Sequence, residues 1–162
     1  MEVLWAPWRM EYILDQNRPE GCIFCQATDG RGYDGLVLGV NHACLVMMNK
    51  YPYNNGHLLV APVRHVSELE DLSAVEQGEL LRHVTLAVKA LKDLMGPNAF
   101  NVGLNLGRAA GAGIEEHLHF HVVPRWEGDT NFMTVLGEVR SVPEHIRATH
   151  AKLQPYFRDM GA

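Results

Sequence analysis

The longest regular pattern of apolar and polar positions runs from residue 73 to residue 95. Leu80, Leu81, Val84, Val88, Leu91 and Leu94 recur there at the helical period, which predicts one helix with a single apolar stripe. Ser73, followed three residues later by Glu76, makes a capping box, and Gly96-Pro97 ends the helix. Nothing in this helix asks for chemistry, and His83 reads as a partly exposed surface residue. Elsewhere the period is two. Residues 36–40 and 43–48 predict two strands around an Asn41-His42 turn, and the loop 51–56 leads to a third strand at 57–61. A short helical patch is expected around 68–72. Residues 99–104 predict a fourth strand, and a glycine-rich loop runs from Asn105 to Gly113.

The strongest alternation follows, His-Leu-His-Phe-His-Val-Val-Pro at residues 117–124. A strand turns residues i, i+2 and i+4 to one face. His117, His119 and His121 would then line one side, each about 7 Å from the next. On a helix they would spread over about 400° of arc and could not converge. A last helix is expected from Ser141-Val142-Pro143 to about Phe157, proline suiting the first helical turn. The elements add up to an α+β fold, an antiparallel sheet with one long packed helix and a C-terminal helix. One domain over residues 1–162 is expected. It carries an aromatic N-terminal extension (about 1–20, with Trp5, Trp8, Tyr12 and Ile13) and a C-terminal extension (about 127–162).

Composition changes this picture in two places. The formal net charge of −5 argues against a nucleic-acid polymer as partner, while leaving room for a local site that takes a small anion. No apolar run approaches the roughly 20 residues of a membrane span, and the N-terminus lacks a secretory pattern. Three cysteines, two of them in a C-x-x-C, suit a reduced compartment, and the cytoplasm is expected. Cys44, inside the second strand, reads as a small core residue.

Imidazole titrates near neutral pH, so a row of three can hold a metal, pass protons or attack phosphorus. Gly107, Gly111 and Gly113 precede the row, and glycine lets successive backbone N–H groups approach an anion. Together they suggest a phosphate held beside an imidazole nucleophile. Cys22 and Cys25 are half of a zinc site; His65 and His117 are the preferred remaining ligands, with His42 as the spare. Plain buried cysteines and a redox pair are the competing readings of the C-x-x-C.

The row matches the His-x-His-x-His-x-x pattern of the histidine triad nucleotide-binding family, and the chain resembles that family over most of its length. Asn49 with Gly56-His57-Leu58-Leu59-Val60-Ala61-Pro62 is similar to its nucleotide-contact segment, and Asn105 with the glycine loop to its phosphate loop. Cys22, Cys25, His65 and His117 match the zinc ligands of zinc-bearing bacterial members. Leu-Trp-Ala-Pro-Trp-Arg-Met-Glu-Tyr-Ile and Trp-Glu-Gly-Asp-Thr-Asn-Phe-Met resemble the longer branch that includes bacterial diadenosine tetraphosphate phosphorylases.

The resemblance implies a homodimer that binds a purine mononucleotide or dinucleoside polyphosphate and cleaves at the α-phosphate, with structural zinc and no organic cofactor. His119 would be the nucleophile, with His121 on the phosphate and His117 ordering the row. His57 would reach a phosphate oxygen and Asn49 the ribose hydroxyls. Asn105 and the N–H groups of Gly111 and Gly113 would stabilise phosphoryl charge, and Met47 is a candidate wall for the base. One departure is Ala112-Gly113-Ile114, where many members carry Ser, Thr or Gln. The competing functions are an adenosine phosphoramidase with the same nucleophile, and a zinc-stabilised nucleotide sensor without significant catalysis. A catalytic metal on all three histidines ranks lower, since Cys22 and Cys25 compete for His117 and the nearby acids are limited to Glu115 and Glu116.

Overall fold

Short links between alternating apolar segments favour antiparallel neighbours, and five strands join in one sheet. The computed structural model describes residues 21–31, 33, 35–129 and 144–161. The N-terminal aromatics, the apolar stretch 132–136 and the helix start expected at Ser141 to Pro143 lie outside them. In chain order the elements are α1 (Ile23–Thr28), β1 (Val37–Val40), β2 (Cys44–Met48), β3 (Leu58–Pro62), α2 (Ala74–Met95), β4 (Ala99–Leu104), β5 (Phe120–Arg125) and α3 (Ile146–Leu153). A 3₁₀ turn at Arg108–Ala110 and a 3₁₀ helix at Gln154–Gly161 complete them. The sheet order is β1-β2-β3-β5-β4, antiparallel throughout. The expected α+β architecture is the observed one.

Strand alternation divides the core. Cys44, Val46, Met48, Leu58, Val60 and Val122 belong to the cluster under α2, whereas Leu45, Met47, Leu59 and Ala61 join Phe24 and Ala27 of α1 in a second cluster. Register then fixes what stands beside what. Met47 pairs with Leu59, Leu59 with His121 and His121 with Gly103, so these four form one row across the α1 side of the sheet. The same side carries the chemistry. Cys44 is fully buried on the α2 side, as a small core residue, and burial pushes its thiol up to about 12.

Helix α2 has both bonds of the Ser73–Glu76 capping box and ends at Gly96, whose left-handed φ of 56° is the conformation glycine adopts without strain. Its buried residues are Leu80, His83, Val84, Ala87, Ala90 and Leu91. Two expectations are corrected here. Leu81 is 62% exposed, because positions 80 and 81 lie about 100° apart on the helix and only one can face the sheet. His83 is fully buried rather than on the surface. Its Nδ1–H donates to the Glu79 carbonyl at 2.7 Å and its Nε2 accepts from Asn41 at 3.2 Å.

The patch at 68–72 is a turn, not a helix. It leads into the cap of α2, and Arg64 fastens it by donating to the Asp71 carbonyl and to Glu76. The last α-helix among the described residues begins at Ile146. The His145 ring accepts the Arg147 N–H there and caps it. At the histidine row the strand proper begins at Phe120. Upstream of it the backbone bonds elsewhere, Leu118 N–H donating to Val66 at 2.7 Å, beyond the end of β3. Strand β4 is a sheet edge, and Val102 on it is 45% exposed.

Candidate active site

Each histidine of the row has its own environment. His117 turns to the C-x-x-C. Its Nδ1 lies 3.2 Å from the sulfur of Cys22 and 3.7 Å from that of Cys25, and the Cys25 sulfur lies 3.3 Å from Nδ1 of His65. Helix α1 makes this possible, since it starts at Ile23 and so places both cysteines at one end. The four donor atoms all lie within 4.8 Å of one another. A tetrahedral zinc with bonds of about 2.0–2.3 Å spaces its donors about 3.3–3.8 Å apart. The measured pairs are close to that spacing. The Nε2–H of His117 donates to the Pro62 carbonyl at 2.8 Å, which leaves the Nδ1 lone pair facing the sulfurs, the arrangement of a metal-binding imidazole. These four residues could hold a zinc ion. His42, the spare ligand, is exposed and stands by Glu79 and His83 of α2 instead.

His119 is 6% exposed. Its Nδ1 lies 2.8 Å from the carbonyl of His117. A carbonyl only accepts, so the ring proton is on Nδ1 and Nε2 keeps its lone pair. Burial pushes the pKa of His119 down, and pushes that of His117 down to about 4. Both rings are therefore uncharged at neutral pH. The phenyl ring of Phe24 packs against both, its centroid 5.0 Å from His117 and 4.8 Å from His119.

His121 meets His119 edge to face at 4.9 Å and belongs to a relay. The backbone N–H of Tyr53 donates to Nδ1 of His57 at 3.0 Å, and Nε2 of His57 lies 3.0 Å from Nδ1 of His121. With its Nδ1 accepting, neutral His57 carries its proton on Nε2 and donates to His121. His121 then carries its own proton on Nε2. The Tyr53 ring stacks on His121 at 5.6 Å and an interplanar angle of 17°. His57 is fully buried, and both of its ring nitrogens face protein.

Asn49 follows β2 and lies beside His57, its Nδ2 3.3 Å from Nδ1 of that ring, while its Oδ1 accepts the Tyr51 N–H. Met47 is 1% exposed and packed with Leu45, Leu59 and Phe24. It belongs to the core cluster on the α1 side of the sheet. On β4, Gly103 lies opposite His121 and Leu104 opposite Phe120. Asn105 follows directly on the end of β4. The glycine loop follows, and its positive φ values at Gly107 (74°) and Gly111 (89°) bracket the 3₁₀ turn. Ionic contact between Arg108 and Glu115 closes the loop at 2.6 Å.

The structure thus brings His57, His117, His119, His121, Cys22, Cys25 and His65 together as one connected group. Phe24 and Tyr53 belong to it and were not expected. Phe24 carries the one signal that could have found it, a bulky apolar side chain between two presumptive ligands.

A family model for the HIT domain matches residues 32–128. An AP-4-A phosphorylase of Mycobacterium tuberculosis is 40% identical over 161 residues, covering 94% of this chain and 83% of its own. An adenosine 5′-monophosphoramidase of Schizosaccharomyces pombe is 32% identical over 104 residues, covering 64% of this chain and 74% of its own. Among solved structures, a zinc-bound histidine triad family protein from Mycobacterium smegmatis has the same fold, with a TM-score of 0.69 at 24% identity over 84% of this chain and 92% of its own. The chain belongs to the HIT domain family of nucleotide-binding hydrolases and transferases.

Proposed function

We propose that the protein cleaves diadenosine tetraphosphate at an α-phosphate, with His119 as nucleophile and inorganic phosphate as the preferred acceptor. The observation that carries this reading is the bond from His119 Nδ1–H to the His117 carbonyl, which fixes an unprotonated Nε2 on a neutral, buried ring. Such a nitrogen attacks phosphorus without prior loss of a proton. The N–P bond forms as the bridging P–O bond breaks, and ATP leaves as its oxyanion. The adenylylated ring retains its Nδ1 proton and is cationic, and the His117 carbonyl that accepts this proton stabilises the charge. A phosphate oxygen then displaces the imidazole and yields ADP. His121 Nε2–H would donate to phosphoryl oxygen, Asn49 would hold the ribose, and Asn105 at the head of the glycine loop would stabilise phosphoryl charge, while the Gly111 N–H holds the loop's own turn by donating to the Arg108 carbonyl at 2.9 Å.

The similarity to the tuberculosis phosphorylase favours this substrate. Similarity to a phosphoramidase keeps the P–N bond of adenosine phosphoramidates as the second reading, since the same nucleophile serves both. Products of diadenosine tetraphosphate, with and without phosphate, separate the cases. ADP plus ATP formed only with phosphate supports phosphorolysis, ATP plus AMP without it indicates hydrolysis, and no turnover of this substrate removes the first reading.

Zinc at Cys22, Cys25, His65 and His117 would be structural. Elemental analysis should find one zinc per chain and none in Cys25→Ser; an equal content in both would remove zinc from this site. The edge position of β4 among the described residues, with Val102 exposed on it, supports a homodimer, which sedimentation as a monomer would exclude. Three free thiols suit the cytoplasm, and extracellular fractionation of the native protein would count against that. No helix among the described residues is long and apolar enough to cross a membrane.

A further inference from the structure

Phe24 lies inside the metal-binding motif, between Cys22 and Cys25, yet its ring is fully buried against the rings of His117 and His119. Helix α1 is only six residues long, too short to hold itself in place in water. Its attachment to the sheet is the apolar cluster around Phe24 and the four-donor group of Cys22, Cys25, His65 and His117. Whatever orders that group therefore sets where the Phe24 ring sits. Among the described residues, the ring of His119 makes one hydrogen bond, through Nδ1. A single bond leaves rotation about its axis, and the ring's faces must be stopped by packing. Phe24 supplies such a stop at 4.8 Å, and His121 meets the ring edge to face at 4.9 Å.

We infer that Phe24 is a positioning residue, which transmits the order of the Cys22, Cys25, His65 and His117 group to the imidazole of His119. The inference builds on the reading of His119 as nucleophile given above. The donor group is then part of the catalytic apparatus at one remove, and not only a staple for the N-terminal part of the domain. Phe24 acts by shape and not by charge: it limits the orientations of His119 and shields the Nδ1–H bond from water. Displacement of a reacting atom by about 1 Å can cost on the order of a hundredfold in rate, so a small change of ring packing here has a large expected effect.

The test is the full chain carrying Phe24→Leu, which keeps the site apolar and removes the flat ring, with Phe24→Met as the second variant if the first is not recovered folded. Leu80→Ala, in the core on the α2 side of the sheet, serves as a control for lost stability alone. Two readouts are needed. With diadenosine tetraphosphate, kcat should fall between about tenfold and a hundredfold with KM changed less than about threefold, while Leu80→Ala keeps its kcat. Independently of turnover, long-range proton–nitrogen spectra of the histidine rings should show one Nδ1–H tautomer for His119 in the parent chain. The spectra should show exchange between tautomers in Phe24→Leu and in the parent chain after metal removal by a chelator. A single unchanged tautomer in Phe24→Leu, or a kcat that falls only as it does in Leu80→Ala, overturns the inference. Failure of the parent chain to turn over any nucleotide would overturn the nucleophile reading instead, and the ring spectra would still decide the role of Phe24.

Discussion

At the scale of single residues, the site is a set of proton positions fixed by neighbours. A carbonyl decides the tautomer of His117, another that of His119, and a backbone N–H decides His57 and, through it, His121. His57 is fully buried, and both of its ring nitrogens have protein partners. Replacement of His57 by Leu should lower kcat by about ten- to a hundredfold, the usual cost of losing a group that orients an active imidazole. The far-ultraviolet circular dichroism should stay that of the parent. Steady-state kinetics showing parent kcat would mean that His121 keeps its tautomer without His57.

At the scale of elements, α2 shows how periodicity informs and misleads. Its cap, its end at Gly96 and the inward positions 80, 84 and 91 were legible, because each depends on local chemistry or on a repeat of 3.6. The inward placement of His83 was legible in principle as well, since it lies three residues after Leu80 on the same stripe. Residue type argued against it, and a hydrogen bond to Asn41 overrode residue type. Helix α1 was not legible: six residues hold too few turns for a period, and its position comes from contacts with residues 65 and 117, distant in sequence.

The buried His83 makes a prediction about pH. Burial is the main cause that lowers its folded pKa below the ordinary 6.5, with Arg82 and His42 adding to the effect and the Glu79 carbonyl and carboxylate opposing it. The unfolded chain then binds more protons below pH 6.5, so the contribution is complete above that value and is lost as the pH falls through 6.5 toward the folded pKa. His117 and His119, also lowered, act in the same direction. Urea unfolding at pH 7.5 and 5.5 should show the parent losing stability on acidification and His83→Gln losing less. An equal loss in both would mean that His83 is charged in the folded protein.

At the scale of the whole molecule, the sheet separates two tasks. Its α2 side holds the larger core, and its other side carries the row Met47, Leu59, His121 and Gly103 with α1 and the donor group beside it. The alternation of the histidine strand encodes this division, since Leu118 and Val122 pack on the α2 side while the histidines remain on the other. That much was readable from eight residues. The relay through Tyr53 and His57 was not, because it depends on where a loop closes and not on any repeat. The acceptor of the proposed reaction belongs to the same class, as no repeat in the sequence encodes it.

The central claim is that Nε2 of His119 is a free-electron-pair nucleophile toward an α-phosphate. Rapid acid-free quenching of the protein with diadenosine tetraphosphate, followed by peptide mass spectrometry, tests it most directly. One adenylyl group is expected on the peptide containing residues 117–121, located on His119, absent from His119→Ala and discharged by phosphate. Parent-level turnover by His119→Ala, or an adenylyl group on His117 or His121 instead, would contradict it.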